Sequence, residues 1–278
     1  MNSMQGKVVL ITGSSRGIGR EIALRCAQDG AKLVITGKTV EPHPKLPGTI
    51  HTVVEEVNQA GGEALAIQMD VRDDQAIADA VTLVIEKFGG IDVLVNNASA
   101  ISLSDTLATT SNKLDLMWDV NMRATFLMSR ACIPYLMKAE NPHILTMSPP
   151  LNMDAKWFSP HLAYSMSKYG MSLCTLGMAR EFSASKTGTK CIGVNSLWPR
   201  TTIATAAIEF NFPEPVLRAS RKPAIVADAA YKILTQDSQT CSGNFFTDEE
   251  VLREAGVSDF GQYAVSPGTP LFNDLFLS

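Results

Sequence analysis

Tyr164 and Lys168 stand four residues apart in the run Tyr164-Ser165-Met166-Ser167-Lys168. On a helix that spacing puts both side chains on one face, a turn apart. A free phenol has a pKa of about 10, too high for easy proton transfer near neutrality. A neighbouring ammonium stabilises the phenolate and lowers that value. Tyr164 could then protonate a developing alkoxide, or deprotonate an alcohol in the reverse direction. Taken alone, the pair reads better as a half-buried tyrosine beside a solvated lysine, so its setting carries the argument.

A second constellation lies near the start of the chain. Gly13-Ser14-Ser15-Arg16-Gly17-Ile18-Gly19 follows an apolar run and precedes a helical stretch. Glycines at such a corner allow a tight turn and close approach of backbone to a pyrophosphate, which the helix N-terminus then holds. The spacing is GxxxGxG, which differs from the general GxGxxG fingerprint. The expected ligand is a dinucleotide, with Gly13, Ser15, Arg16, Gly17, Ile18 and Gly19 as candidate binding residues. An acid about 20 residues after the loop would favour a ribose diol. Gly37, Lys38 and Thr39 occupy that region instead. Lys38 and Arg16 are cations suited to a 2′-phosphate, so the expected cofactor is NADP(H). Glu41 could turn back toward the ribose and is the competing feature. Asp70-Val71 and Asn96-Asn97-Ala98 follow later strands, at the carboxyl ends where ligands of open α/β sheets bind. Asp70, Val71, Asn97 and Ala98 join the candidate cofactor contacts, as does Lys168 through a ribose hydroxyl.

The elements that must position these groups are legible as periodicity. Apolar runs at 8–12, 33–36, 64–69, 93–96, 144–147, 192–197 and 244–247 predict strands buried on both faces. Helices are expected at 17–29, 50–59, 73–88, 112–138, 161–182 and 225–234. Strands alternating with helices predict an α/β fold, a Rossmann-type doubly wound parallel sheet of seven strands with helices on both faces. A proline-rich stretch at 40–48 interrupts the second connection. The chain is read as a single domain spanning 1–278 with a C-terminal extension over about 251–278.

Composition narrows the function classes. The 278 residues carry 24 basic and 28 acidic side chains, a net charge of -4, with no basic block. Nucleic-acid binding is not expected. Apolar runs are too short for a membrane span of about 18 residues. The five cysteines and four histidines are dispersed, so no metal site is expected and the thiols read as reduced. A strand signal almost at the start leaves no room for a leader, and the expected location is the cytoplasm, with an organelle not excluded.

In combination these motifs resemble the short-chain dehydrogenase/reductase family. The chain shows TGxxxGxG from Thr12 to Gly19, Asn96-Asn97-Ala98, a helix-borne Asn121, Tyr164 with Lys168, and Asn195 with Pro199 after the sixth strand, in order over residues 6–248. The resemblance implies that Tyr164 donates and accepts the proton, that Lys168 lowers its pKa and holds the ribose, and that Asn121 supports a water relay. It implies cofactor contacts from Tyr164, Lys168 and Pro199. It also implies a serine that polarises the substrate carbonyl. Counted back from Tyr164 that position is Leu151; counted from the fifth strand it is Pro149. The nearby serine is Ser148, ahead of Pro149-Pro150, and it is the catalytic candidate. Two further departures are Ser99 in place of a glycine and Arg200 after Pro199. Arg200 could meet an acidic substrate or point to solvent.

The expected activity is NADP(H)-dependent interconversion of a carbonyl and a secondary alcohol. The expected pocket wall is Ile101, Leu151, Met153, Trp157, Phe158 and Trp198, suited to an apolar or acyl-type small-molecule substrate. The displaced serine motivates an alternative, a non-catalytic NADP-binding redox sensor; a carrier of a lipid-like ligand is a third reading. The two longest helices resemble those of family dimers and tetramers, so a homodimer or homotetramer is expected.

Overall fold

The computed structural model describes residues 3–42, 46, 48–183 and 191–277. Residues 43–45 and 47 of the proline-rich stretch, and the last residue of the tail, lie outside these. Among the described residues, seven strands form one sheet in the order β3-β2-β1-β4-β5-β6-β7. They are β1 (Val8–Ile11), β2 (Lys32–Gly37), β3 (Glu63–Gln68), β4 (Val93–Asn96), β5 (His143–Met147), β6 (Gly193–Trp198) and β7 (Phe245–Thr247). Every pairing is parallel, with Val9 opposite Leu33 on one side and Val93 on the other. All seven expected strands are present, shifted by a residue or two.

Alternation along β1 shows why the sheet is covered on both faces. Val9 and Ile11 enter one core layer with Ile22, Val53 and Ile225. Val8 and Leu10 enter the opposite layer with Val81, Val84 and Met128. A strand buried on both faces needs apolar residues at consecutive positions, which is the pattern read from the sequence. The chain runs outward from β1 to β3, then crosses back to start β4 beside β1. That reversal opens a crevice at the strand ends, where ligands of such sheets bind.

The helices are α1 (Gly17–Ala27), α2 (Ile50–Gln59), α3 (Asp74–Phe88), α4 (Ser111–Met117), α5 (Ala124–Leu136), α6 (Leu162–Glu181), α7 (Ala206–Asn211), α8 (Glu214–Arg218), α9 (Ala224–Leu234) and α10 (Asp248–Glu254). The long helix expected at 112–138 is instead α4 and α5 joined by a π-helical turn, Trp118–Arg123. The short α7 and α8 were not anticipated; prolines and brief length leave no periodicity. The start of α10 carries a readable signal that the sequence reading passed over. Thr247 and Glu250 form a reciprocal capping box there.

Capping chemistry separates α1 from its neighbours. Asp73 accepts hydrogen bonds from the backbone N–H groups of Gln75 and Ala76, starting α3. Thr49 and Thr52 close a capping box on α2. No side chain caps α1. Asp73→Ala removes the oxygen that accepts both bonds and is expected to cost about 1 kcal/mol, lowering Tm by about 2–4 °C in a calorimetric scan.

Candidate active site

The glycine loop is built by close approach. Gly13 has φ +64°, and a Cβ there would lie 2.9 Å from the Ala98 Cα. A Cβ on Gly19 would lie 2.5 Å from Asn97 Nδ2. That amide is not free to move, since it donates to the carbonyls of Thr12 at 2.9 Å and Gly13 at 3.0 Å. The Thr12 hydroxyl in turn accepts from the backbone N–H groups of Asn97 and Ala98. The ends of β1 and β4 are thereby locked together at the crevice.

A cleft of about 730 Å³ opens there. It is lined by Gly13, Ser15, Arg16, Gly17 and Ile18 on the loop, Lys38 after β2, Asp70 and Val71 after β3, and Asn97 and Ala98 after β4. These are predicted cofactor residues gathered from four strand ends. Gly19 lies behind the loop as a packing residue. The uncapped N-terminus of α1 leaves its first-turn N–H donors facing this space, which suits a diphosphate. The volume and the donor set fit the adenosine diphosphate part of a dinucleotide.

Charge at the rim is shared. Lys38 is 63% exposed in its side chain, and its Nζ lies 3.3 Å from Asp70. Arg72 lies 2.6 Å from the same carboxylate. The Arg72 hydrogen bonds, helped by Lys38, hold the Asp70 carboxyl well below the usual range. Arg16 donates to Thr39 Oγ1 at 3.2 Å and to the Gly48 carbonyl at 3.1 Å.

Helix α6 presents Tyr164 and Lys168 on one face, and both are buried. Lys168 Nζ donates to the Met147 carbonyl at 3.0 Å and sits 5.3 Å from the Trp198 ring. Burial lowers the Lys168 ammonium to about 7. Burial also holds the Tyr164 phenol above its ordinary value, with Asp274 adding to the rise. The sequence expectation was a lowered phenol; in this arrangement loss of solvent outweighs any help from Lys168. Asn121 lies in the π-helical turn and is fully buried. Its Oδ1 accepts from the Ala100 N–H at 2.7 Å, and its Nδ2 donates to the Ala100 carbonyl at 2.9 Å and to Ser167 Oγ at 2.8 Å. Asn121 thus ties the exit of β4 to the helix that carries Tyr164.

Ser148 follows β5 directly. It is fully buried, its hydroxyl bonded to Ser196 Oγ at 2.8 Å, which donates to Thr175 Oγ1 at 2.9 Å. This hydroxyl chain joins the end of β5 to β6 and α6. Pro199 is buried behind Trp198, and the Arg200 N–H donates to Asp248 at 2.8 Å.

Five predicted wall residues gather in one apolar cluster with Tyr164: Ile101, Leu151, Trp157, Phe158 and Trp198. Met153 is 74% exposed and stands outside it. The sequence reading missed Tyr169 and, above all, Phe276 and Leu277, which the tail brings into the same cluster. The tail's only sequence signal is its apolar run, Leu275-Phe276-Leu277.

A model of the short chain dehydrogenase family matches residues 7–211. Hydroxysteroid dehydrogenase-like protein 2 of Danio rerio is 53% identical over 274 residues, covering 99% of this chain and 64% of that protein. The chain therefore spans less than two thirds of the length of this curated relative. A solved short chain dehydrogenase from Mycobacterium thermoresistibile is 46% identical with a TM-score of 0.91, over 99% of this chain and 96% of its own. One from Burkholderia cenocepacia, in complex with NADP, is 30% identical with a TM-score of 0.74, over 88% and 97%. With the glycine loop, Asn97 and the Tyr164–Lys168 pair arranged as described, the match over residues 7–211 makes this chain a member of the short-chain dehydrogenase/reductase family.

Proposed function

We propose that the protein is an NADP(H)-dependent oxidoreductase that interconverts a carbonyl and a secondary alcohol, with Tyr164 as acid and base. The observation that carries this reading is the continuity between cleft and tyrosine. Ala98 packs against Gly13 at the cleft, Ala100 is held by Asn121, and Asn121 is bonded to Ser167 on the Tyr164 helix. Backbone N–H groups over residues 15–18 would hold the diphosphate, Asp70 and Val71 would border the adenine, and Asn97 and Ala98 would border the cofactor's next segment, all being residues that line the cleft. Tyr164 and Lys168 hold the nicotinamide ribose, near Pro199. When bound, the dinucleotide supplies or accepts the hydride. The Tyr164 hydroxyl gives its proton to the substrate oxygen during reduction and takes one during oxidation. The Lys168 ammonium stabilises the phenolate between those steps, and Asn121 supports the relay that restores the proton. In this reading Ser148 positions the ends of β5 and β6 through Ser196 and does not touch the carbonyl.

Preference for NADP(H) rests on Arg16 and Lys38 at the rim, and the NADP complex of the Burkholderia cenocepacia relative agrees with it. Lys38→Ala removes one charge-assisted contact, worth roughly 1.5–3 kcal/mol. The NADPH Kd is expected to rise about tenfold, with the NADH Kd within about twofold of its starting value. Equal losses for both, measured by fluorescence titration, would remove the 2′-phosphate assignment.

The apolar cluster around Tyr164 supports a small substrate with an apolar or acyl part. Exposed Leu114, Leu116 and Trp118 around α4, with Phe126 on α5 and Leu173 and Leu176 on α6, support a homodimer or homotetramer. No helix among the described residues is long and apolar enough to cross a membrane. We take the chain as one domain with a cytoplasmic location. NADPH oxidation against a panel of aldehydes and ketones tests the activity. Tight NADPH binding with no turnover across that panel would favour the sensor reading, which the orientation of Ser148 also favours.

A further inference from the structure

The C-terminal tail enters the site from its open side. The Thr202 N–H donates to the Phe272 carbonyl at 2.9 Å, the Asp274 N–H to the Arg200 carbonyl at 3.1 Å, and Trp198 Nε1 to the Leu275 carbonyl at 2.9 Å. Residues 272–275 are thus laid antiparallel along 198–202, with Thr201 bridged to Asn273. Phe276 then drops into a box of five rings. Its centroid lies 5.4 Å from Tyr169, 5.8 Å from Trp198, and 6.1 Å each from Trp157, His161 and Tyr164. It stacks on Tyr164 at an interplanar angle of 30° and has no exposed surface.

Two features distinguish this packing from finished core. Among the described residues, Phe276 is the one non-glycine with a left-handed backbone, φ 72°. A bulky residue rarely adopts that conformation, and such outliers cluster at functional sites. In addition, Trp157 Nε1 is buried in the box wall without a hydrogen-bond partner. Buried donors are normally satisfied, so this one is left for an acceptor to meet. The other rings of the box come from 157–169 and 198, outside the tail.

We propose that the box of Trp157, His161, Tyr164, Tyr169 and Trp198 is the substrate's apolar subsite, that it takes an aromatic or branched aliphatic group, and that Phe276 occupies it as a stand-in the substrate displaces. The proposal rests on the oxidoreductase reading, because it places the group that fills the box against the Tyr164 ring. Release needs little unravelling. The bonds from Asp274 N–H and Trp198 Nε1 break, while the Thr202–Phe272 bond keeps the tail tethered. A docked tail stacks Phe276 on one face of the Tyr164 ring, and a displaced tail frees that face for the substrate's apolar group.

Hydrogen exchange on the full chain, read by mass spectrometry, tests this without turnover. NADP⁺ with 4-phenylbutan-2-one leaves the ketone unreduced. The peptide covering 272–277 is expected to exchange several-fold faster with both present, and to stay protected with NADP⁺ alone or with NADP⁺ and acetone. Release by NADP⁺ alone would assign the box to the cofactor and overturn the proposal, as would unchanged protection at saturating ketone. Phe276→Ala removes the stand-in. If the box is open only about one time in ten, the KM for 4-phenylbutan-2-one falls about tenfold and that for acetone hardly changes. Phe276→Leu keeps apolar filling and guards against misfolding; it is expected to give an intermediate KM. A raised KM in both variants, with unchanged circular dichroism, would make Phe276 a permanent wall and overturn the proposal. Faster tail exchange with the ketone, in a protein that turns over no carbonyl, would support the subsite while removing the activity.

Discussion

Tyr164→Phe is expected to lower kcat for carbonyl reduction by about 10²–10⁴-fold, the range removed with a positioned general acid. The substitution deletes one oxygen and keeps the ring, so the stack on Phe276 at 6.1 Å and the packing of α6 are retained. NADPH affinity is expected to stay within about tenfold, since one hydrogen bond to a ribose is worth roughly 0.5–1.5 kcal/mol and the glycine loop is untouched. Reduction requires the protonated phenol, and burial already favours that form. Rate constants from NADPH absorbance, paired with a fluorescence titration of NADPH, check both halves. A variant with the parent kcat would show that the proton comes from elsewhere.

Gly13→Val is expected to weaken NADPH binding by about 100-fold or more. The residue sits at φ +64°, where a β-branched side chain is a severe outlier, and its Cβ would meet the Ala98 Cα at 2.9 Å. Neither partner is a flexible side-chain end. Relief requires the loop to move away from β4, which breaks the Asn97 bonds to Thr12 and Gly13. The N–H donors of residues 15–18 then lose their aim, and two lost charge-assisted bonds account for a factor of about 100. Isothermal titration with NADPH measures the loss, and a thermal scan is expected to show Tm lower by several degrees. Unaltered affinity would mean that the diphosphate binds away from this loop.

The strands and the cleft were readable because their causes are local. A strand buried on both faces is mostly apolar along its length, and β1 and the first three residues of β4 announce themselves in that way. Lys38, Asp70 and Asn97 line the cleft, and each lies within two residues of a strand's carboxyl end. What the sequence did not show depended on contacts distant in sequence. Nothing near Phe276 indicates that five rings from 157 to 198 will surround it. The orientation of Ser148 follows from the alternation of β5 as the chain leaves the sheet, and only the fold shows that this side faces Ser196. The sequence could place Lys168 beside Tyr164, but the weight of burial against charge depends on what covers the pair.

The π-helical turn at Trp118–Arg123 acts as an angular offset within one rod. One residue fewer would let the α4 and α5 segments fuse into an uninterrupted α-helix, with a rotation of about 100° between their faces. Met117 faces the cluster around Tyr164, whereas Leu127 and Met128 face the sheet core. A single-residue deletion would therefore satisfy one face only by turning the other to water. The insertion is what lets one rod serve as core wall at one end and active-site wall at the other, with Asn121 at the junction.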